Sequence, residues 1–151
     1  MAGAGALESV AGGGGLTLVV DPAHGGRIVN LRHEGHEWLA ASRPAAPGST
    51  AFVHEGTGGW DEALPTVAPT RSLPDHGDLW NTPWAVTRSG PGVLALSVHS
   101  SSSDVTIERT ISATATGVEL SYRASTSSTE DRPFLWSAHP LVAAEPGTTV
   151  D

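Results

Sequence analysis

The sequence contains no cysteine and no lysine. Without cysteine there are no disulfides and no thiolate metal sites, and the redox compartment is unmarked. Positive charge is scarce: the eight Lys+Arg are all arginine, sixteen Asp+Glu oppose them, and the net charge is −8. A nucleic-acid surface needs clustered positive charge, so no nucleic-acid partner is expected. No apolar run approaches the ~18 residues of a membrane span, so no membrane partner is expected either. Residues 1–15, MAGAGALESVAGGGG, lack the basic start and long apolar core of a signal peptide, and a cytoplasmic location is the default expectation. Long helical patterns are missing as well. With 18 Gly and 11 Pro in 151 residues, the chain reads as one all-β domain with many turns.

Taken in order, residues 1–15 read as a flexible, Gly-rich lead, and residues 16–151 as the folded portion. Leu16–Val20 reads as a strand ended by Asp21-Pro22, and Arg27–Arg32 as a second after the turn His24-Gly25-Gly26. A short third strand, Glu37–Ala40, follows the turn Glu34-Gly35-His36, and residues 42–50 read as a loop. The later chain alternates more clearly. Leu94, Leu96 and Val98, then Val105, Ile107 and Ile111, then Val118, Leu120 and Tyr122 each alternate with polar or small partners. Period two with polar partners marks half-buried antiparallel strands, here three in a meander.

Between these two parts lies GGWDEALPTVAPTRSLPDHGDLWNTPW, residues 58–84. Three of the five tryptophans sit here with four prolines and a single His among acidic residues. Proline removes a backbone donor and restricts the residue before it, so the stretch reads as an ordered loop rather than a helix or central strand. Flat apolar rings beside carboxylates, an imidazole and an amide fit a sugar: rings stack on C–H faces, and polar groups bond hydroxyls.

His76 lies in Asp75-His76-Gly77-Asp78. Two flanking carboxylates favour the cationic imidazole, which suits a proton donor at neutral pH. The blander reading is an exposed turn histidine held by local hydrogen bonds. His139, in Trp136-Ser137-Ala138-His139-Pro140, is a polar residue in an apolar, aromatic run. It is either a core histidine with a satisfied hydrogen bond or a second functional imidazole. Asp61 and Glu62 follow Trp60 and read either as hydroxyl ligands or a general base, or as a solvated loop pair or a cap. The spacing of His24, His33 and His36 suits no common metal-ligand set, so no metal is expected. Trp38 and Phe52 are most simply core.

The segments Gly58–Thr66, Leu73–Trp80 and Pro133–Leu141, in this order and spacing, resemble the aldose 1-epimerase (galactose mutarotase-like) family. The early run Gly26-Arg27-Ile28 through Glu37-Trp38-Leu39 resembles that family's N-terminal hairpin, and the likeness spans most of residues 16–145. The resemblance implies an antiparallel β-supersandwich with a sugar cleft on one concave face. It implies interconversion of the α and β anomers of a free aldose: a base takes the anomeric proton, an acid protonates the ring oxygen, and the ring opens and recloses. No cofactor is needed. By motif position the cleft histidines, one before Gly and one before Pro, are His76 and His139, the latter as ring-oxygen acid. Trp60, Asp61, Glu62, Asp75, Trp80 and Trp136 are the candidate substrate-binding residues around them.

Two departures qualify the likeness. The family's general base is a glutamate late in a chain about twice this long, so the sequence is expected to be the N-terminal portion of such a domain. Relatives often carry an arginine after the His-Gly pair, where this chain has Asp78-Leu79-Trp80, so the implied substrate is a neutral aldohexose rather than a sugar phosphate. An incomplete sandwich leaves strand edges without partners, and self-association through them is expected. The alternative to an isomerase is a carbohydrate-binding β-sandwich without turnover.

Overall fold

A computed structural model describes residues 6–43, 49, 52, 57–131 and 135–149. The protein is all-β and antiparallel, built as two sheets. In chain order the strands are β1 (Glu8–Ala11), β2 (Thr17–Asp21), β3 (Arg27–His33), β4 (His36–Glu37), β5 (Trp60–Ala63), β6 (Ala85–Gly90), β7 (Val93–Ser100), β8 (Val105–Ala113), β9 (Val118–Thr126) and β10 (Ser137–Pro140). The first sheet runs β1-β2-β3-β5-β10, with β4 also paired to β3, and the second runs β6-β7-β8-β9.

The alternation read in the later chain sets the second sheet. Leu94, Leu96 and Val98 of β7 and Val105, Ile107 and Ile111 of β8 all turn inward and are buried. They pack against Val10, Leu18, Val20 and Ile28 of the first sheet. Burying one such side chain stabilises the fold by about 1.5–3 kcal/mol, so the two inner faces hold the sheets together. Val118, Leu120 and Tyr122 of the edge strand β9 are only partly buried against this core.

Four expectations are corrected. The Gly-rich lead is ordered from Glu8 onward: β1 pairs with β2, and Val10 is buried. Gly12 and Gly13 pass so close to the carbonyls of Gly117 and Ala115 that a Cβ on either would lie about 2 Å from an oxygen. The glycines there permit close packing rather than flexibility. The Trp-rich stretch is not all loop either. It opens with β5, inserted between β3 and β10, before the first proline at 65 interrupts the ladder. The expected strand Glu37–Ala40 becomes His36–Glu37 paired with β3, because from Trp38 onward the backbone turns to residues 141–143 instead, where Leu39 bridges Val142, while the Glu37 carboxylate accepts from the N–H groups of Leu31 and Leu39. Trp38, expected in the core, is 46 % exposed and meets the edge of His36 at 4.7 Å. Phe52 is buried as expected. Of the loop over residues 42–50, positions 44–48 and 50 lie outside the described residues, as do Pro133 and Phe134 of the second aromatic stretch.

No helix among the described residues is long and apolar enough to cross a membrane.

Candidate functional site

Strand β5 organises the site, because its residues alternate between the two faces of the first sheet. Trp60 and Glu62 face the second sheet; Asp61 faces away from it. The partners show this directly. Glu62 Oε1 accepts from Tyr122 Oη at 2.6 Å and from Arg109 Nη1 at 3.4 Å, both donors from the second sheet. Its Oε2 accepts from Trp136 Nε1 at 3.0 Å. Asp61 Oδ1 instead accepts from Arg27 Nε at 2.6 Å, and the Arg27 guanidinium also donates to Ser42 Oγ and the Arg43 carbonyl. Both carboxylates are fully buried, so neither is the solvated loop residue or cap that the sequence also allowed.

Above Asp61, on the same outer face, two imidazoles meet. Antiparallel pairing of β10 with β5 sets His139 directly opposite Asp61. His76 arrives from the turn Pro74–Gly77, where the Gly77 N–H donates to the Pro74 carbonyl at 3.1 Å. A bridge of Leu64 with Gly77, together with Asp78 N–H to Leu64 carbonyl at 3.1 Å, ties that turn to the end of β5. Gly77 has φ +70°, and a Cβ there would lie 1.7 Å from the Leu64 oxygen, so only glycine allows this approach. His76 itself has φ +57°. The two rings lie 5.1 Å apart between centroids, at 69°. Phe52 stacks on His76 at 3.9 Å and meets His139 edge-on at 5.4 Å. Trp80 closes the floor, edge-on to Phe52 at 5.2 Å, its Nε1 donating to the Gly77 carbonyl at 3.1 Å.

The polar settings of the two histidines differ. His76 Nδ1 contacts Asp75 Oδ1 at 2.9 Å, so the proton on that nitrogen is shared with a carboxylate. The second flanking carboxylate does not take part: Asp78 binds Ser100 Oγ, Ser101 Oγ and the Ser102 N–H at the β7–β8 turn. The sequence-level expectation of an imidazole between two carboxylates therefore reduces to one. His139 Nδ1 is buried with no hydrogen-bond partner among the described residues. Burial, and then the neighbouring His76, hold the His139 imidazole below its ordinary value, so it favours the neutral form.

Burial also dominates the carboxylates. It pushes the Asp61 carboxyl up to about 7 against the pull of Arg27. It raises Glu62 too, against the opposing effects of the Tyr122 hydroxyl and Arg109. The Tyr122 hydroxyl is raised by its own burial and by Glu62.

Of the residues singled out from the sequence, the fold gathers His76, His139, Asp75 and Asp61 on one side, with Trp80 as a buried support. It sends Trp60, Glu62 and Trp136 to the other side, where they join Arg109 and Tyr122 between the sheets. Trp136 is 40 % exposed at that open margin and lies 4.9 Å from Tyr122. Three participants escaped the sequence reading. Arg109 left a legible sign, since it occupies an inward position between Ile107 and Ile111. Arg27 and the stacking role of Phe52 left none, because their partners are distant along the chain.

Beside Trp80 is a hollow of about 160 Å³ lined by Pro74, Gly77, Asp78, Asn81 and Thr82 among others. A wider hollow of about 350 Å³, lined by Leu16, Leu31, His33, Trp38 and Thr116, carries no paired acid–base groups. Among the described residues, no group of three or more His, Asp or Glu is placed to hold a metal ion. No family model, curated protein or solved structure matches the chain.

Proposed function

We propose that this chain carries a sugar-binding acid–base site of the aldose 1-epimerase type, set in a β-supersandwich and centred on His76 and His139. The observation that carries the reading is the pair itself. Two imidazoles far apart in the sequence lie 5.1 Å apart over an aromatic floor. In a pyranose the anomeric hydroxyl and the ring oxygen are bonded to the same carbon. Two imidazoles one ring-width apart suit two oxygens that close. Phe52 and Trp80 hold the imidazoles from below, and Asp75 orients His76 through Nδ1.

The chemistry then divides between the rings. One imidazole donates to the ring oxygen as it takes up the departing electron pair; this role falls to His139, which must first take up a proton on the nitrogen that faces the sugar. His76 bonds a neighbouring sugar oxygen and holds the ring in place. Neither step needs a cofactor. The base that removes the anomeric proton is a carboxylate outside the two histidines.

One observation favours a second reading, sugar binding without turnover. Both oxygens of Glu62 already accept hydrogen bonds, and Asp61 is clamped by Arg27 and fully buried. Neither carboxylate is free to act as the anomeric base.

Polarimetry separates the two. Freshly dissolved α-glucose and α-galactose are followed with and without the chain. Acceleration above the buffer rate that disappears in His139→Ala supports the isomerase. Saturable binding without acceleration supports the binder. Absence of both removes the sugar reading altogether.

A further inference from the structure

Strands β5 and β10 bring two incomplete polar groups face to face. Asp61 and His139 are direct partners in the antiparallel register, so their side chains share one face with Cβ atoms about 5 Å apart. Arg27 holds Asp61 Oδ1, and Oδ2 is buried with no partner among the described residues. His139 Nδ1 is the buried, unpartnered nitrogen of its ring. Leaving a buried polar atom without a partner is unfavourable, and among the described residues there are two here of complementary kind. One is a carboxylate oxygen, which accepts; the other is an imidazole nitrogen, which donates when protonated.

We propose that Asp61 is the positioning residue of His139: its free oxygen accepts a hydrogen bond from Nδ1–H, directly after a small side-chain rotation or through one shared water, and so leaves Nε2 as the nitrogen that takes up a proton from solvent and, from the imidazolium, passes it on. The arrangement forms a line. Ser42 and the Arg43 carbonyl fix Arg27, Arg27 fixes Asp61, and Asp61 fixes the tautomer and ring orientation of His139. An imidazole must present one defined nitrogen if it is to exchange a proton at a fixed place. Among the described residues, Asp61 lies opposite His139 in the sheet, and His76 and Phe52 meet it from the covering loops. Among these, only Asp61 offers a carboxylate oxygen without a partner. Burial supports the assignment, since it favours a neutral His139, the form in which a tautomer exists at all.

The catalytic meaning rests on the sugar-site reading, but the tautomer does not, and it is measured without sugar or activity. Long-range proton–nitrogen correlation spectra of the ¹⁵N-labelled full chain at pH 7.5 report which nitrogen of each histidine carries hydrogen. The expected result is an Nδ1–H tautomer for His139. Asp61→Asn is expected to flip it to Nε2–H, because the amide nitrogen then donates where the carboxylate accepted. An Nε2–H tautomer in the wild type overturns the proposal. So does an unchanged tautomer in an Asp61→Asn protein whose other histidine signals stay in place. If that variant does not fold, the wild-type tautomer alone decides. A wild-type Nδ1–H tautomer in a protein that binds no sugar would sustain the Asp61 assignment and remove the sugar reading.

Discussion

Arg109 reaches across from the second sheet to Glu62 in the first, Nη1 to Oε1 at 3.4 Å, and both residues are fully buried. The Arg109 guanidinium also donates to the Gly26 carbonyl and lies 4.7 Å over the Trp84 ring. One charged side chain thus touches the β2–β3 turn, the inner strand β5 and Trp84 at once. Removing one member of a buried ion pair leaves the other charge uncompensated, which costs about 3–5 kcal/mol. Glu62→Ala is therefore expected to lose about that much in urea unfolding. Glu62→Gln keeps an acceptor for Tyr122 and Trp136 and is expected to lose clearly less. Equal losses would show that the charge contributes little.

The pH dependence of stability follows from the outer face. Folding raises Asp61 from 3.8 to about 7, so between those values the folded state holds the extra proton. The contribution is fully present below about pH 4 and is lost as pH rises through about 7. At ~1.4 kcal/mol per unit, its size is at most about 4 kcal/mol. His139 acts with the opposite sign: its folded value lies below 6.5, so stability falls as pH drops below 6.5. Urea midpoints of Asp61→Asn are expected to lose the fall in stability that the wild type would show as pH rises from about 4 to about 7. His139→Ala is expected to lose the opposing contribution, the one that weakens as pH drops below 6.5. Profiles unchanged by either substitution would contradict both assignments.

Gly77 offers a sharper structural test. An alanine there meets the Leu64 carbonyl and must also adopt φ +70°. Gly77→Ala is expected to displace the turn that carries His76, with a loss of sugar affinity of tenfold or more alongside a lowered melting temperature. A variant with wild-type melting and wild-type affinity would show that the close approach does not position His76.

The fold was readable where chemistry and periodicity agree. The inward sides of β7, β8 and β9 announced themselves, because one face meets the core and the other meets water. β1 did not, because its flanking glycines look the same whether they permit motion or close contact. β5 was hidden for another reason. Both its faces are buried, and two of its four residues are acidic, so it lacks alternation and apolar character alike. Its carboxylates are held by Arg27 and Arg109, which lie 34 and 47 residues away. Sequence pattern placed His76 and His139 among the candidate residues but could not show that they touch the same ring, Phe52. Nor could it sort Asp61 from Glu62, since adjacent strand residues separate to opposite faces only once the strand is known.

The central claim is that His76 and His139 form one sugar site. The most direct test is a titration of the ¹⁵N-labelled chain with D-galactose and with D-glucose, followed through the histidine side-chain signals. The account predicts that the His76 and His139 signals shift together and saturate with one dissociation constant, while those of His24, His33, His36 and His99 stay fixed. Shifts confined to the latter histidines, or none at all up to high sugar concentration, would contradict it.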